Sequence, residues 1–359
     1  MQLDPQRSRP FEAYQDVVLD MKRYWTRELF PALRQRFDDA VEGQAIQPKT
    51  VAEVDALLSE DSLTQYFNWM ERHLQIMKYS GRYGLVPTYG RDRETLVAAL
   101  SRPFDEHLLE LADDFDLPDY YTSIDIHQHP GGVWSDQLAG AVYERGARST
   151  TPLMNRHADL HYRFMDQVMT RAGGPVAKLL DMGCGFGKST RAFYSDHGDL
   201  EVIGVDLAEP CLRLAALTAT EDQARNVHYK QADAASTGLD ERSFDVVTST
   251  MMLHEMPPVH IRAILAEAAR VLMPGGLSIH LDFLADDDPF ARYIHYGHAR
   301  RNNEPFMPPL NEMDLERAHT EAGLEAPEIV RFEEMPGALE ASNTAWRFPW
   351  VMIVSRKPS

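Results

Sequence analysis

The chain has 359 residues, enough for two domains or one enlarged domain, and it is 44% hydrophobic and 25% charged, as soluble globular proteins are. Its formal net charge of -19, with no basic run beyond pairs such as Arg300-Arg301, disfavours a nucleic-acid partner. The two cysteines, Cys184 and Cys211, form no disulfide framework and suit a reducing compartment, so a cytoplasmic location is expected. No apolar stretch opens the chain and no window approaches ~18 apolar residues, so neither a signal peptide nor a membrane partner is expected.

The first 116 residues read as a mainly helical domain. In 11–37, Tyr14, Val17, Val18, Met21, Trp25, Leu29 and Leu33 fall at helical spacing, and Pro31 predicts a kink or a split. A second helix is predicted over 61–80, with Asp61 or Ser62 as N-cap, and a third over 91–103, stopped before Pro103. Residues 117–154 are rich in aromatic residues, His, Gly and Pro. They read as a connecting segment, a lid over a ligand site.

From 155 to 359 strands alternate with helices. Strands are predicted at 178–183, 201–207, 227–233, 244–253, 277–283, 327–335 and 347–358, with helices such as 210–223 and 257–272 between them. That alternation predicts an α/β fold with a parallel sheet and right-handed crossovers. An insert at 284–312 interrupts it before the last two strands.

The first of these strands runs into "LLDMGCGFGKST" (179–190). Its end matches a triphosphate loop, but the first glycine of that motif would fall at Met182. The dinucleotide fingerprint fails too, because its third glycine would fall at Lys188. What stands there is D-x-G-x-G-x-G: Asp181, Gly183, Gly185 and Gly187, between a strand and a helix. This resembles motif I of the class I S-adenosylmethionine (SAM) methyltransferases, most closely the ubiquinone/menaquinone-type group (methyltransferase type 11). Asp206 ends the second strand 19 residues after Gly187, where an acid can accept both ribose hydroxyls. "QADA" (231–234), "FDVVTSTMMLHEM" and "ARVLMPGGLSIH" follow in the family's order.

The resemblance implies a Rossmann-like seven-stranded sheet and SAM as cofactor. It places Asp181 and the three glycines around SAM, Asp206 on the ribose, Leu207 against adenine, Asp233 at the adenine amino group with Ala234 beside it in the cofactor site, and Ser249 and Thr250 at the pocket mouth. It does not extend to residues 1–150.

Methyl transfer is an in-line displacement that depends mainly on positioning, and acidic acceptors also need a base. His254 and Glu255, after the fourth strand, are candidates for base or orienter; a helix-capping loop is the alternative. In "DIHQHPGG" (125–132), an extended backbone would place His127 and His129 on one face. They would then serve catalysis or, with a carboxylate, a divalent metal. The alternative is a turn lining an aromatic pocket, and no metal ligand is assigned. Tyr121, Trp134, His295 and Arg300 are candidate substrate contacts from the lid and the insert, and the insert also offers Tyr293, Tyr296, His298 and Arg301, whose Arg pair would suit a carboxylate or phosphate or else lie at the surface.

The sequence thus points to a SAM-dependent methyltransferase (transferase, EC 2.1.1.-) acting on a small molecule enclosed between the N-terminal/lid region and the Rossmann-like domain. The apolar faces of the N-terminal helices suit that enclosure or a homodimer interface. Rival readings are a metal-assisted enzyme using His127/His129, a protein or RNA methyltransferase, and a non-catalytic SAM-binding sensor.

Overall fold

The computed structural model describes residues 3–5, 8–102, 104–153, 158–340 and 344–359. Pro103 and the 154/155 domain boundary lie outside the described residues. The N-terminal helices are α1 (Arg9–Tyr24), α2 (Phe30–Gln44), α3 (Val51–Leu58), α4 (Ser62–Tyr79), α5 (Leu85–Arg91) and α6 (Arg93–Leu100). The helix expected over 11–37 is α1 and α2 joined by a π-helical turn, Trp25–Leu29. Pro31 sits in the first turn of α2. Its ring would crowd the carbonyl four residues back, and the widened turn relieves this. The same turn buries Trp25 and Thr26. Asp61 caps α4, its carboxylate accepting from the Thr64 N–H at 2.9 Å, a contribution of about 1 kcal/mol.

The N-terminal region ends with β1 (Leu109–Glu110), and the connecting segment carries α7 (Asp119–Thr122), a 3-10 turn (Ile126–Gln128) and α8 (Ala139–Ala147). Then come α9 (Ala158–Ala172), β2 (Lys178–Met182), α10 (Lys188–Asp196), β3 (Glu201–Asp206), α11 (Glu209–Glu221), β4 (Val227–Gln231), β5 (Phe244–Thr250), α12 (Pro258–Val271) and β6 (Leu272–Phe283). The insert forms α13 (Pro289–Asn302) and α14 (Met307–Asn311), followed by α15 (Leu315–Glu321), β7 (Glu328–Arg331) and β8 (Trp350–Arg356).

The sheet order is β1-β4-β3-β2-β5-β6-β8-β7. All seven expected strands are present, and β8 runs antiparallel to both β6 and β7. The addition is β1, whose Leu109 pairs in parallel with Tyr229 and covers the edge of β4. Two residues are too few for periodicity to reveal. Strand order reverses beside β2, which pairs with both β3 and β5, so a ligand crevice belongs at their carboxyl ends.

Successive side chains of a strand face opposite layers. Leu179 enters one core with Val202, Val246 and the N-terminal Trp25, Leu33 and Phe67. Leu180 enters the other with Ile203, Val247 and Ile261 and Leu265 of α12. The helical region therefore shares a core with the sheet, each large buried side chain contributing about 2–3 kcal/mol before entropy.

Candidate active site

One cavity opens at the carboxyl ends of β2 to β5 and continues inward beneath the N-terminal helices. Its outer part is bordered by Gly183, Gly185, Asp206, Leu207, Asp233 and Ala234. The three loop glycines have φ of 66, 51 and 77°, a region other residues enter at a cost. A Cβ at Gly187 would lie 2.6 Å from the Tyr229 hydroxyl, whereas one at Gly185 would meet nothing within 4 Å. So Gly187 serves packing, and Gly185 leaves the backbone open to the cavity.

Asp206 holds that loop in place. Its carboxylate accepts from the Gly185 and Ala208 N–H groups, both at 2.8 Å. Burial pushes its carboxyl up to about 6 against the pull of these donors. Asp233 is shaped likewise, accepting from the Ala235 N–H at 2.8 Å. Asp181 does not border the cavity. It lies beneath the loop, where one oxygen accepts from Ser189 Oγ and Thr190 Oγ1, both at 2.7 Å. Burial raises it to about 6 despite those hydroxyls. The phosphate-loop look of "GKST" is thus the anchoring of α10 to β2.

The inner part is a polar chamber walled by aromatic rings. Asp282 of β6 accepts from the Leu253 N–H at 2.8 Å and holds His254 Nδ1 at 2.6 Å. The other nitrogen of His254 lies 3.9 Å from Glu304. Glu304 meets His127 Nδ1 at 3.0 Å, and Glu255 meets His127 Nε2 at 3.1 Å. Burial opposes a charged imidazole, but Asp282, Glu255 and Glu304 outweigh it and raise His254 to about 9. Glu304 and Glu255 do the same for His127, also to about 9. Burial would raise Glu304, yet His127, His298 and His254 hold it down to about 2.

Beyond Glu304, Glu71 of α4 takes His298, Arg301 and Asn302 as partners. Trp25, Tyr79, Trp346 and Phe348 line the remaining walls.

The structure brings together His254, Glu255, His127, Tyr121 and five of the nine predicted cofactor residues besides Asp206, namely Gly183, Gly185, Leu207, Asp233 and Ala234. Several expectations are corrected. Residues 125–132 are not extended: His127 adopts φ 58° in a 3-10 turn, so the two histidines diverge. His129 is buried and stacks on Tyr79 with centroids 4.7 Å apart, away from the chamber. Burial, with His127 and Lys78 nearby, lowers it to about 3. The shared face needed for a metal is therefore absent, and no group of three or more metal-ligating side chains occurs among the described residues.

Ser249 points away from the cavity and bonds His280 at 2.7 Å, while the next residue, Thr250, borders it. Strand alternation decides which of the two expected neighbours lines the cavity. Trp134 packs outside the cavity beside Val133, Ala208 and Cys211. His295 is buried behind the cavity wall, and Arg300 is exposed. Its neighbour Arg301 turns inward to Glu71, along the space that Gly297 leaves by lacking a Cβ. Arg145 and Arg148 pair with Asp4 at 3.7 and 3.6 Å.

Sequence reasoning missed Glu71, Lys78, Lys22 and Glu304, whereas His298 of the insert borders the cavity as a residue placed for substrate contact would. A signal existed on α4. Glu71, Gln75 and Lys78 recur at helical spacing in phase with Phe67, Met70 and Leu74, and all six are buried. Charged residues within an apolar stripe mark a polar interior.

Residues 179–276 match the model of a methyltransferase domain family. The chain is 30% identical over 213 residues to 27-O-demethylrifamycin SV methyltransferase of Amycolatopsis mediterranei, covering 58% of this chain and 70% of that protein. It is 43% identical over 101 residues to a ubiquinone biosynthesis O-methyltransferase of Idiomarina loihiensis, covering 28% of this chain and 39% of the relative. Phosphoethanolamine N-methyltransferase 2 of Haemonchus contortus, solved with S-adenosyl-L-methionine, aligns with 17% identity and a TM-score of 0.47 over 68% of this chain and 61% of that one. The chain belongs to the class I SAM-dependent methyltransferase family. It spans about half or less of the length of the first curated relatives it matches. Among the described residues, no helix is long and apolar enough to cross a membrane.

Proposed function

We propose that this protein transfers a methyl group from SAM to a small molecule held in the inner chamber. The observation that carries the reading is the continuity of the cavity. It joins the glycine loop, Asp206 and Asp233 to His254, Glu255, His127 and Glu304 without an intervening wall. The relatives' names, which refer to ubiquinone biosynthesis and to 27-O-demethylrifamycin SV, support a small acceptor.

The outer residues suit SAM. Gly185 offers open backbone and Asp206 a carboxylate at the end of β3, where ribose hydroxyls are accepted. Leu207, Asp233 and Ala234 border the adenine end in this reading, while Asp181 fixes the loop from beneath. When bound, SAM supplies an electrophilic methyl group.

The rest is the chain's own work. The segment 117–153 contributes Tyr120, Tyr121 and Tyr143 to the cavity, and the insert contributes His298, Asn302 and Glu304. These elements orient the acceptor and exclude water. His254 Nε2 is the proton acceptor, because Asp282 occupies Nδ1 and fixes the tautomer. Asp282 and Glu304 keep that imidazole protonated up to about 9, so the active fraction grows with rising pH. Glu255 holds His127 in place from the other side.

The test is label tracing. The protein is incubated with methyl-labelled SAM and cell extract, and the label is followed into small-molecule, protein and RNA fractions. Label in a small molecule, lost in Asp206→Ala, is expected. Label in protein or RNA overturns the substrate class, and binding of SAM without transfer marks a sensor.

A further inference from the structure

The carboxylates of the inner chamber are already engaged. Glu71 holds His298 and Arg301, Glu304 holds His127 at 3.0 Å, and Glu255 holds the same ring at 3.1 Å. Two lysines border the same space. Lys78 of α4 is 3% exposed, and its ammonium has no hydrogen-bond acceptor among the described residues. It rests 4.6 Å above the centroid of the Tyr79 ring. Lys22 of α1 donates to Gln75 at 3.0 Å and to no carboxylate among the described residues.

Taking an ammonium from water without an ionic partner costs several kcal/mol. Burial accordingly lowers both lysines, Lys22 only to about 8 because Glu71 and Glu304 pull against it. Lys78 falls further because Lys22 stands near it, although Glu304 opposes the fall. A methionine would fill the stem of Lys78 at no such cost. A buried ammonium with no hydrogen-bonded carboxylate among the described residues, in the wall of a binding cavity, is therefore matched to an anion that arrives with the ligand.

We propose that the methyl acceptor carries an anionic oxygen group, a carboxylate or a phosphate, seated by Lys78 and Lys22 where α1 and α4 wall the cavity. This rests on the reading of the chamber as the acceptor site. Trp25, Tyr79 and Trp346 line the same end and suit a flat apolar body attached to that anion. Anchoring the anion there leaves the remainder of the molecule to extend toward His254 and Glu255, on the side of the glycine loop.

The experiment uses benzoate, phenyl phosphate and the neutral benzyl alcohol as probes. Binding is measured by calorimetry and by the emission of Trp25 and Trp346, with and without S-adenosylhomocysteine. At least one anionic probe is expected to bind about tenfold or more tighter than the alcohol. Preference for benzoate assigns a carboxylate; preference for phenyl phosphate assigns a phosphate. The preference should vanish in Lys78→Met and weaken in Lys22→Met, with affinity for S-adenosylhomocysteine unchanged. The Tm of Lys78→Met should equal or exceed that of the wild type, because an uncompensated buried charge is removed.

Equal binding of all three probes, no binding of any, or a preference that survives Lys78→Met overturns the proposal. So does a lowered Tm in Lys78→Met, which would make the lysine structural. Failure of the wild type to bind S-adenosylhomocysteine would sink the cofactor reading instead. The probes added alone would still decide this one.

Discussion

The two ends of the cavity are built on opposite principles. At the outer end the work is done by backbone: glycines at positive φ, N–H groups tied to Asp206, and strand ends that stop together. Few side chains are involved, and each comes from a short stretch between 181 and 234. At the inner end the work is done by side chains. The chain Asp282, His254, Glu304, His127, Glu255 draws on β6, on the turns after β5 and α13, and on the lid. The first kind of site tolerates little change in its loop. The second can be rebuilt residue by residue on the same frame, which is how one fold serves many acceptors.

The largest test of this division is Asp206→Ala. It removes the acceptor for the Gly185 N–H and, in the proposed reading, for the ribose, and affinity for S-adenosylhomocysteine should fall about 100-fold or more, by titration calorimetry. Probe binding in the inner chamber should be retained. Its counterpart is Glu304→Gln, which strips the carboxylate from His127 and His254. Breaking a buried pair costs about 3 kcal/mol, so denaturant unfolding should show that loss while affinity for S-adenosylhomocysteine stays near the wild-type value. If the two substitutions damage both ends equally, the division fails.

The next test is pH. His254 and His127 are held at about 9 against an ordinary 6.5, so their stabilisation is complete below 6.5 and is lost as pH rises through about 9. Thermal midpoints should fall by a few degrees between neutral and alkaline pH. Activity should move the opposite way, rising as His254 loses its proton. In Asp282→Asn the rise should shift to lower pH, because the carboxylate that raises His254 is gone. An unshifted profile would remove His254 as the base. The smallest effect belongs to the surface: Arg300→Ala should change stability by no more than about 0.5 kcal/mol and leave transfer intact, whereas Arg301→Ala exposes Glu71 to the loss of its guanidinium.

The outer end was legible because its chemistry is local. D-x-G-x-G-x-G, Asp206 and "QADA" fall in sequence order at or beneath one end of the cavity, and all seven strands announced themselves by apolar runs and turn signals. Where two neighbours were expected together, one-residue geometry chose between them. Ser249 and Thr250 alternate across a strand, and Arg300 and Arg301 are separated by about 100° around a helix, so a shift of one position reverses inside and outside. The 125–132 segment slipped for another reason: its φ at His127 is set by packing, not by local propensity.

By itself the sequence determined seven of the eight strands, the loop that opens the sheet and the family, because periodicity and glycine placement are written in neighbouring residues. Only the tertiary structure decided the inner chamber. Glu71 and Arg301 are separated by 230 positions yet share one buried network, and no local pattern encodes which distant charges will neutralise each other. It also decided which charge was left over. Lys78 reads as a solvated residue on a helix until α1, α4 and the insert close around it and leave its ammonium facing the cavity.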